Sequence, residues 1–450
     1  MKANPRLLAI TILCQRQETG QPVDLIRDNI LTKAMPDNAK DSPLVTALVY
    51  GVLRWQRYLD AILQDFSSHP LAKMKNLTLQ ALRVGLFQLC FMDRIPPSAA
   101  VNETVKALKE SRQPKWLTGF VNGLLRNISR QMETLPSHWD NSLMPPAVRL
   151  SHPDWLYQRW LVRYGEDQTL RICTTNNHQG PLVLRVNSTL MTREGFINEL
   201  EKSGIAAQPG IYCPEAVVLP DFRGDIGGLP GYASGTFMVQ DEGAQLISLM
   251  LGPFGSGKYL DACAGLGGKT VHLAQLIPDG SQVVAIEPNP MRFKLLQENI
   301  KRTGMADRVS CRQTTLGDFQ DETDGFFAAI LVDAPCSGLG VIRRHPDIRW
   351  NRNPDDLQRY PAEQLKLLAE AAALLVPGGI LVYATCSIEP EENEEVVAQF
   401  LAAQPQFTLS SPPDFPPAAQ RFVNTKGFFQ TQPDETLDGF FAARLVKSKE

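Results

Sequence analysis

Asp261-Ala-Cys-Ala-Gly-Leu-Gly-Gly-Lys-Thr270 is the stretch that decides the fold of this 450-residue chain. It follows a short apolar run over 259–262 that reads as a strand, and it opens into a helical pattern over 270–276. Gly265, Gly267 and Gly268 at such a junction allow a tight turn and a close approach of backbone amides to a ligand. The next strand spans 282–286 and is closed by Glu287, 22 residues after Gly265, with Pro288 stopping it. An acid at that spacing suits a ribose diol. Loop and acid together point to a crevice for a nucleoside.

Outward from this stretch, strands and helices alternate. Strands are expected at 259–262, 282–286, 308–312, 328–332 and 380–384, helices at 270–276, 291–302 and 355–375, and a closing strand at 440–446. Such alternation argues a parallel, doubly wound sheet. Gly252-Pro-Phe-Gly-Ser-Gly-Lys258 superficially matches a phosphate loop, but Tyr259 stands where a magnesium-holding hydroxyl is needed. The segment also precedes a strand instead of following one. Nucleotide hydrolysis is excluded on both grounds.

Two cysteines lie at the ends of the last two parallel strands. Asp333-Ala-Pro-Cys336-Ser-Gly follows the fourth, and Thr385-Cys386-Ser387 follows the fifth. In doubly wound folds these edges face the ligand crevice. Two thiols and a carboxylate therefore converge on the glycine loop. The eight cysteines include no C-x-x-C pair, and the closest two are 25 residues apart, which excludes zinc ribbons and a disulfide scaffold. Reduced thiols remain available as nucleophiles.

Up to about residue 135 the pattern is helical throughout, with Ser42-Pro43 as a cap and first-turn proline. A proline-rich linker over 135–146 follows. Residues 150–250 read as a small α+β unit, with strands at 181–186 and 216–219 and a helix at 192–202 capped by Thr192. Residues 1–150 carry 19 Lys and Arg against 12 Asp and Glu, although the whole chain has a net charge of −3. A basic N-terminal third on an acidic body fits a module that meets a phosphate backbone. No apolar run approaches the roughly 20 residues of a membrane span. The eight-residue, largely apolar stretch at 7–14 lacks a cleavage site and runs into Gln15-Arg16-Gln17, so a soluble, cytoplasmic protein is expected.

Asp333-Ala-Pro-Cys-Ser-Gly and Tyr383-Ala-Thr-Cys-Ser-Ile-Glu-Pro-Glu-Glu-Asn393 resemble motifs IV and VI of the Sun-type RNA 5-methylcytosine methyltransferases. Val49-Tyr-Gly-Val-Leu-Arg54 and Phe120-Val-Asn-Gly-Leu-Leu-Arg126 are similar to the NusB-like N-terminal domain of its bacterial Fmu-type subgroup, and Arg343-Arg-His-Pro-Asp-Ile348 fits the same subgroup. The resemblance implies a NusB-like RNA-binding domain at 1–135, a small connecting domain at 150–250 and a Rossmann-like methyltransferase domain at 251–450. It implies S-adenosylmethionine as cofactor, held by Cys263, Ala264, Gly265, Leu266, Gly267, Gly268, Lys269, Glu287, Asp318 and Asp333. It further implies 16S ribosomal RNA as partner, a monomeric state, and no metal or membrane. Two positions depart from the family pattern. Gly265-Leu266 replaces a usual Ala-Pro in the loop, and Thr314-Thr315 occupy the place of the third acid, leaving Asp318 as the nearest carboxylate to the adenine.

Carbon 5 of cytosine is too weak a nucleophile to take a methyl group until a thiolate has added to carbon 6. The resemblance assigns that attack to Cys386, a part in the later elimination to Cys336, and hydrogen bonding to the ring nitrogen to Asp333. Arg343, Arg344, His345, Arg349 and Arg352, with Trp350 among them, suit contact with an RNA backbone. Two alternatives stay open: a non-catalytic RNA-binding or antitermination factor, and a DNA cytosine-5 methyltransferase whose nucleophile is Cys336.

Overall fold

The computed structural model describes residues 4–34, 41–131, 144–319 and 326–449. The linker expected over 135–146 lies outside them up to residue 143. The chain divides into two compact units, residues 1–179 with 342–352, and residues 180–341 with 353–450.

The first unit is helical. Helix α1 (Pro5–Thr19) starts where the Asn4 side chain accepts from the Arg6 N–H at 3.0 Å, and it ends at Gly20 in the left-handed region. It is followed by α2 (Val23–Ala34), α3 (Ser42–Phe66), α4 (Asn76–Phe91), α5 (Pro97–Glu110) and α6 (Lys115–Gln131). The cap of α3 is Asp41 rather than Ser42, which is the first helical residue. Val45, Leu48, Val49, Val52, Leu59, Ile62 and Leu63 recur along one stripe of α3 and are fully buried. The α3–α4 crossing is close because position 51 is glycine. A Cβ there would stand 2.0 Å from the Phe87 ring. A helix over Asp154–Asn177 completes this part.

Residues 342–352 correct the sequence expectation. Arg349 is fully buried and donates to the carbonyls of Arg54 (3.3 Å), Ser151 (3.0 Å) and Asn176 (3.0 Å) and to Asn177 Oδ1 (2.9 Å). Trp350 Nε1 donates to the Leu53 carbonyl at 2.6 Å, Arg54 donates to the Arg343 carbonyl at 2.9 Å, and His345 pairs with Asp24 at 3.0 Å. Arg343 is 3% exposed. The Arg349 guanidinium is already solvated by carbonyl oxygens and Arg343 is buried, so neither is presented to a phosphate backbone. The segment is a strap through the helical unit.

The second unit holds two sheets. Strands β1 (Leu182–Val186), β2 (Gln208–Pro209), β3 (Ala216–Leu219) and β4 (Phe237–Val239) form an antiparallel sheet in the order β2-β3-β1-β4. The helix Arg193–Lys202 packs beside it, capped as expected by Thr192, which accepts from the Gly195 N–H at 3.1 Å. The larger sheet contains β5 (Lys258–Asp261), β6 (Gln282–Ile286), β7 (Val309–Arg312), β8 (Phe327–Asp333), β9 (Leu375–Thr385), β10 (Phe407–Leu409), β11 (Phe428–Gln430) and β12 (Phe441–Lys447). Its order is β10-β12-β9-β8-β5-β6-β7, with β11 on β12. Strands β9-β8-β5-β6-β7 are mutually parallel, and β12 runs antiparallel to β9.

The five parallel strands and the closing strand fall where the pattern places them. Strand β9 starts earlier because its Pro377-Gly378-Gly379 bulges within the strand, the register jumping from Phe327↔Leu375 to Ala329↔Ile380. Strands β10 and β11 carry no pattern long enough to read. Strand order reverses at β5, with β6 and β7 on one side and β8 and β9 on the other. The carboxyl ends of β5 and β8 therefore flank the crevice of a doubly wound fold.

Arg349→Leu is expected to destabilise the helical unit by at least about 3 kcal/mol, because several buried carbonyls lose their donor together. The midpoint of urea unfolding followed by helical circular dichroism measures this. A change within about 0.5 kcal/mol, typical of a solvated surface residue, would refute the strap.

Candidate active site

The crevice is built from four strand ends, those of β5, β6, β8 and β9. Strand β5 ends at Asp261, which is buried and accepts from Thr270 Oγ1 at 2.7 Å and from the Cys263 N–H at 3.4 Å. These bonds close the glycine loop on its own strand. Burial pushes the Asp261 carboxyl up to about 6, against the pull of those hydrogen bonds. Gly265 and Gly267 have φ of 57° and 89°, a region that favours glycine, and the helix Gly268–Leu276 starts from the turn. A Cβ added at Gly265 or Gly268 would meet nothing within 4 Å, so the loop backbone borders open space. Leu266 is half exposed, Ala264 is buried, and burial drives the Cys263 thiol well above its ordinary range.

Glu287 ends β6 as expected. It is 4% exposed, and its Oε1 accepts from the Asn289 N–H at 2.8 Å. Asp318 lies in the loop after β7, exposed, with its carboxylate on Thr315 Oγ1 at 2.6 Å. The two positions left open for the third acid are thus partners in one local turn.

Asp333 ends β8 and takes a hydrogen bond from Lys269 Nζ at 2.6 Å. Lys269 comes from the glycine loop, so this ion pair ties the loop to the thiol side of the crevice. Although burial disfavours its charge, Asp333 holds the Lys269 ammonium above its usual pKa. Cys336 Sγ and Cys386 Sγ stand 3.3 Å apart, and both cysteines are reduced. At that separation one sulfur donates and the other accepts. The hydrogen bond from Cys336, helped by Lys269, lowers the pKa of Cys386, while the same bond and burial raise that of Cys336 well above the ordinary thiol. Of the two thiols, Cys386 is therefore the one whose pKa the site lowers and Cys336 the one whose pKa it raises.

Comparison with known proteins then identifies the scaffold. Residues 248–446 match the family model of the 16S rRNA methyltransferase RsmB/F, residues 3–130 the NusB family, and residues 152–223 the RsmF/B-like ferredoxin-like domain. The chain is 36% identical over 448 residues to ribosomal RNA small subunit methyltransferase B of Salmonella paratyphi B, covering 99% of both chains. The chain belongs to the ribosomal RNA small subunit methyltransferase B family. Among solved structures it resembles PH0851, at 25% identity and a TM-score of 0.79 over 99% of this chain and 100% of that one. A methyltransferase homolog from Pyrococcus horikoshii is similar at 26% identity and a TM-score of 0.55, over 69% of this chain and 99% of that one.

The order of domains in this methyltransferase is therefore NusB-like, ferredoxin-like and Rossmann-like. The structure brings Cys336, Cys386, Asp333 and Lys269 together, and it leaves Asp318 apart on its own loop. Three supporting residues escaped the sequence reading. Buried Arg185, on β1, donates to the Gly268 carbonyl at 2.8 Å and to Gln240, and Asn299 donates to the Leu266 carbonyl at 3.0 Å. Glu392 lies inside the stretch quoted as motif VI, but its spacing alone carries no role.

Alkylation of Cys386 by iodoacetamide, followed by peptide mass mapping, is expected to show a pH midpoint below the roughly 8.5 of an ordinary thiol. Cys336→Ala removes the donor to the thiolate, so the midpoint should move upward. An unmoved midpoint would show that the two sulfurs share no proton.

Proposed function

We propose that this methyltransferase modifies carbon 5 of a cytosine in 16S ribosomal RNA, with Cys386 as the nucleophile. The observation that carries the proposal is the pair of sulfurs 3.3 Å apart at adjoining strand ends, beside Asp333 and Lys269. A methyl acceptor with a basic oxygen or nitrogen needs no thiol, whereas activation of a pyrimidine carbon needs a thiolate.

The glycine loop fits S-adenosylmethionine: its backbone borders open space at Gly265 and Gly268, and the half-buried Lys269 and buried Glu287 rim it. When bound, S-adenosylmethionine would supply an electrophilic methyl group, its sulfonium carbon–sulfur bond breaking to leave a neutral thioether. Glu287 holds the ribose diol, and the turn of Thr315 and Asp318 stands on the adenine side. Lys269 orients Asp333, which hydrogen-bonds the ring nitrogen of the target base. Cys386 thiolate adds to carbon 6, the 5,6 double bond opens toward carbon 5, and carbon 5 takes the methyl group. Loss of the carbon 5 proton to a base then restores the double bond and expels Cys386 as thiolate. Cys336, in contact with the Cys386 sulfur, takes part in this elimination. The target base must leave its stack to reach the thiol. The same reading implies a cytoplasmic monomer.

The two cysteines should fail differently. Cys386→Ala is expected to abolish methylation and form no covalent adduct, while Cys336→Ala adds to the base, stalls at elimination and accumulates a protein–RNA adduct that survives denaturing electrophoresis. Both variants are incubated with a cytosine-containing 16S fragment and S-adenosylmethionine. An adduct with Cys386→Ala and none with Cys336→Ala would reverse the assignment to the DNA-type arrangement.

Glu287→Ala should weaken S-adenosylmethionine binding by about 1.5–3 kcal/mol, the worth of a hydrogen bond to a charged group. Titration calorimetry on the full chain checks this, and unchanged affinity would remove Glu287 from the ribose site.

A further inference from the structure

Beyond Asp333 and Ala384 the ladder between β8 and β9 ends, and the loops carrying Cys336 and Cys386 separate from it. A backbone bond from the Gly340 N–H to the Cys386 carbonyl, 2.9 Å, joins them near their far side. The residues that directly follow the two thiols, Ser337 and Ser387, meet on a single carboxylate. Glu392 Oε1 accepts from the Ser337 N–H at 2.7 Å, and Oε2 accepts from Ser337 Oγ at 2.5 Å and Ser387 Oγ at 2.6 Å. Gln364 Nε2 donates to Oε1 at 3.3 Å, and the two serine oxygens are 3.1 Å apart. Glu392 is itself fully buried.

Its own turn is anchored to β9. Tyr383 Oη donates to the Glu392 carbonyl at 2.6 Å, and Thr385 Oγ1 to Asn393 Oδ1 at 2.6 Å. Asn393 Nδ2 returns a bond to the Ser387 carbonyl at 2.9 Å. A buried carboxylate is expensive unless its oxygens are satisfied. Burial raises the Glu392 pKa while the serine and glutamine donors oppose it. Breaking either serine contact would leave charge exposed to apolar surroundings, so the bracket resists opening.

We propose that Glu392 is a positioning residue which brackets the two cysteine loops and so sets the distance between the two sulfurs. It touches neither sulfur through a hydrogen bond and acts through Ser337 and Ser387. Sub-ångström placement of reacting groups by such supporting contacts is what holds a proton-sharing pair in register. The inference rests on the thiol roles proposed above, but its test uses neither RNA nor a methyl donor, so the two fail separately.

The groups that face Cys386 are Cys336 and Asp333 from the β8 end, Lys269 from the glycine loop, and Glu392 from the turn after β9. As a bare negative charge, Glu392 opposes the Cys386 thiolate; as a bracket, it supports it by keeping Cys336 in donor range. The two roles predict opposite signs. The experiment is the pH dependence of Cys386 alkylation by iodoacetamide in the full chain, with the melting temperature recorded alongside.

Glu392→Gln should move the Cys386 midpoint up by about one pH unit, which is about tenfold slower alkylation below both midpoints. The double variant Ser337→Ala/Ser387→Ala keeps the charge, cuts the bracket and should move the midpoint in the same direction. In a Cys336→Ala background Glu392→Gln should produce no further rise. A lowered melting temperature with an unmoved midpoint, or a midpoint that falls, would overturn the proposal. Should Glu392→Gln not fold, the serine variants decide it by the same criterion.

Discussion

Strand β8 pairs in parallel with β5 on one side and β9 on the other, and the chemistry of this methyltransferase depends on where those three strands end. Asp261, Asp333 and Thr385 close them, and the glycine loop and both thiols continue from these points. Because the order reverses at β5, no strand crossing covers the ends, and the crevice between them stays open to ligands. The burial of β9 between β8 and β12, with Leu381 to Thr385 all at 0% exposure, gives Cys386 a rigid base. A side chain that follows directly on such a strand is held in a fixed orientation.

Charge is distributed around that base in a graded way. Asp261 works within the glycine loop, accepting from Thr270 and the Cys263 amide. Asp333 and Lys269 neutralise each other across the crevice, and Glu392 is satisfied by serine and glutamine donors behind the thiols. Each carboxylate is thus paired in a different manner, as buried charges require. The consequence is a Cys386 thiol whose pKa is lowered by the Cys336 hydrogen bond and Lys269, while the acids around it are already engaged.

The strap at 342–352 shows how misleading charge can be when read without burial. Four arginines, a histidine and a tryptophan within a dozen residues look like a surface for nucleic acid. Within the helical unit Arg349 and Trp350 instead satisfy carbonyls from α3 and from the ends of neighbouring segments. Arginine suits this because its planar fork donates in several directions at once. A phosphate and a set of backbone carbonyls present the same demand, and composition cannot tell them apart.

The alternation of strands and helices, the glycine loop and the acid at Glu287 were legible because each depends on local chain geometry: period, turn and strand termination. The two cysteine motifs were legible for the same reason, since a thiol following a parallel strand must face the crevice. Strands β10 and β11 were not, being three residues each and stabilised by pairing with β12 rather than by any pattern of their own. Nor were the partners of Asp333 or the bracket at Glu392. Lys269 lies 64 residues from Asp333, and Ser337 lies 55 from Glu392. By itself the sequence determined which side chains stand at strand ends, because that follows from short-range backbone preferences. Only the tertiary structure decided which of them share a proton or a charge, because a hydrogen bond reaches about 3 Å and chain distance does not constrain that.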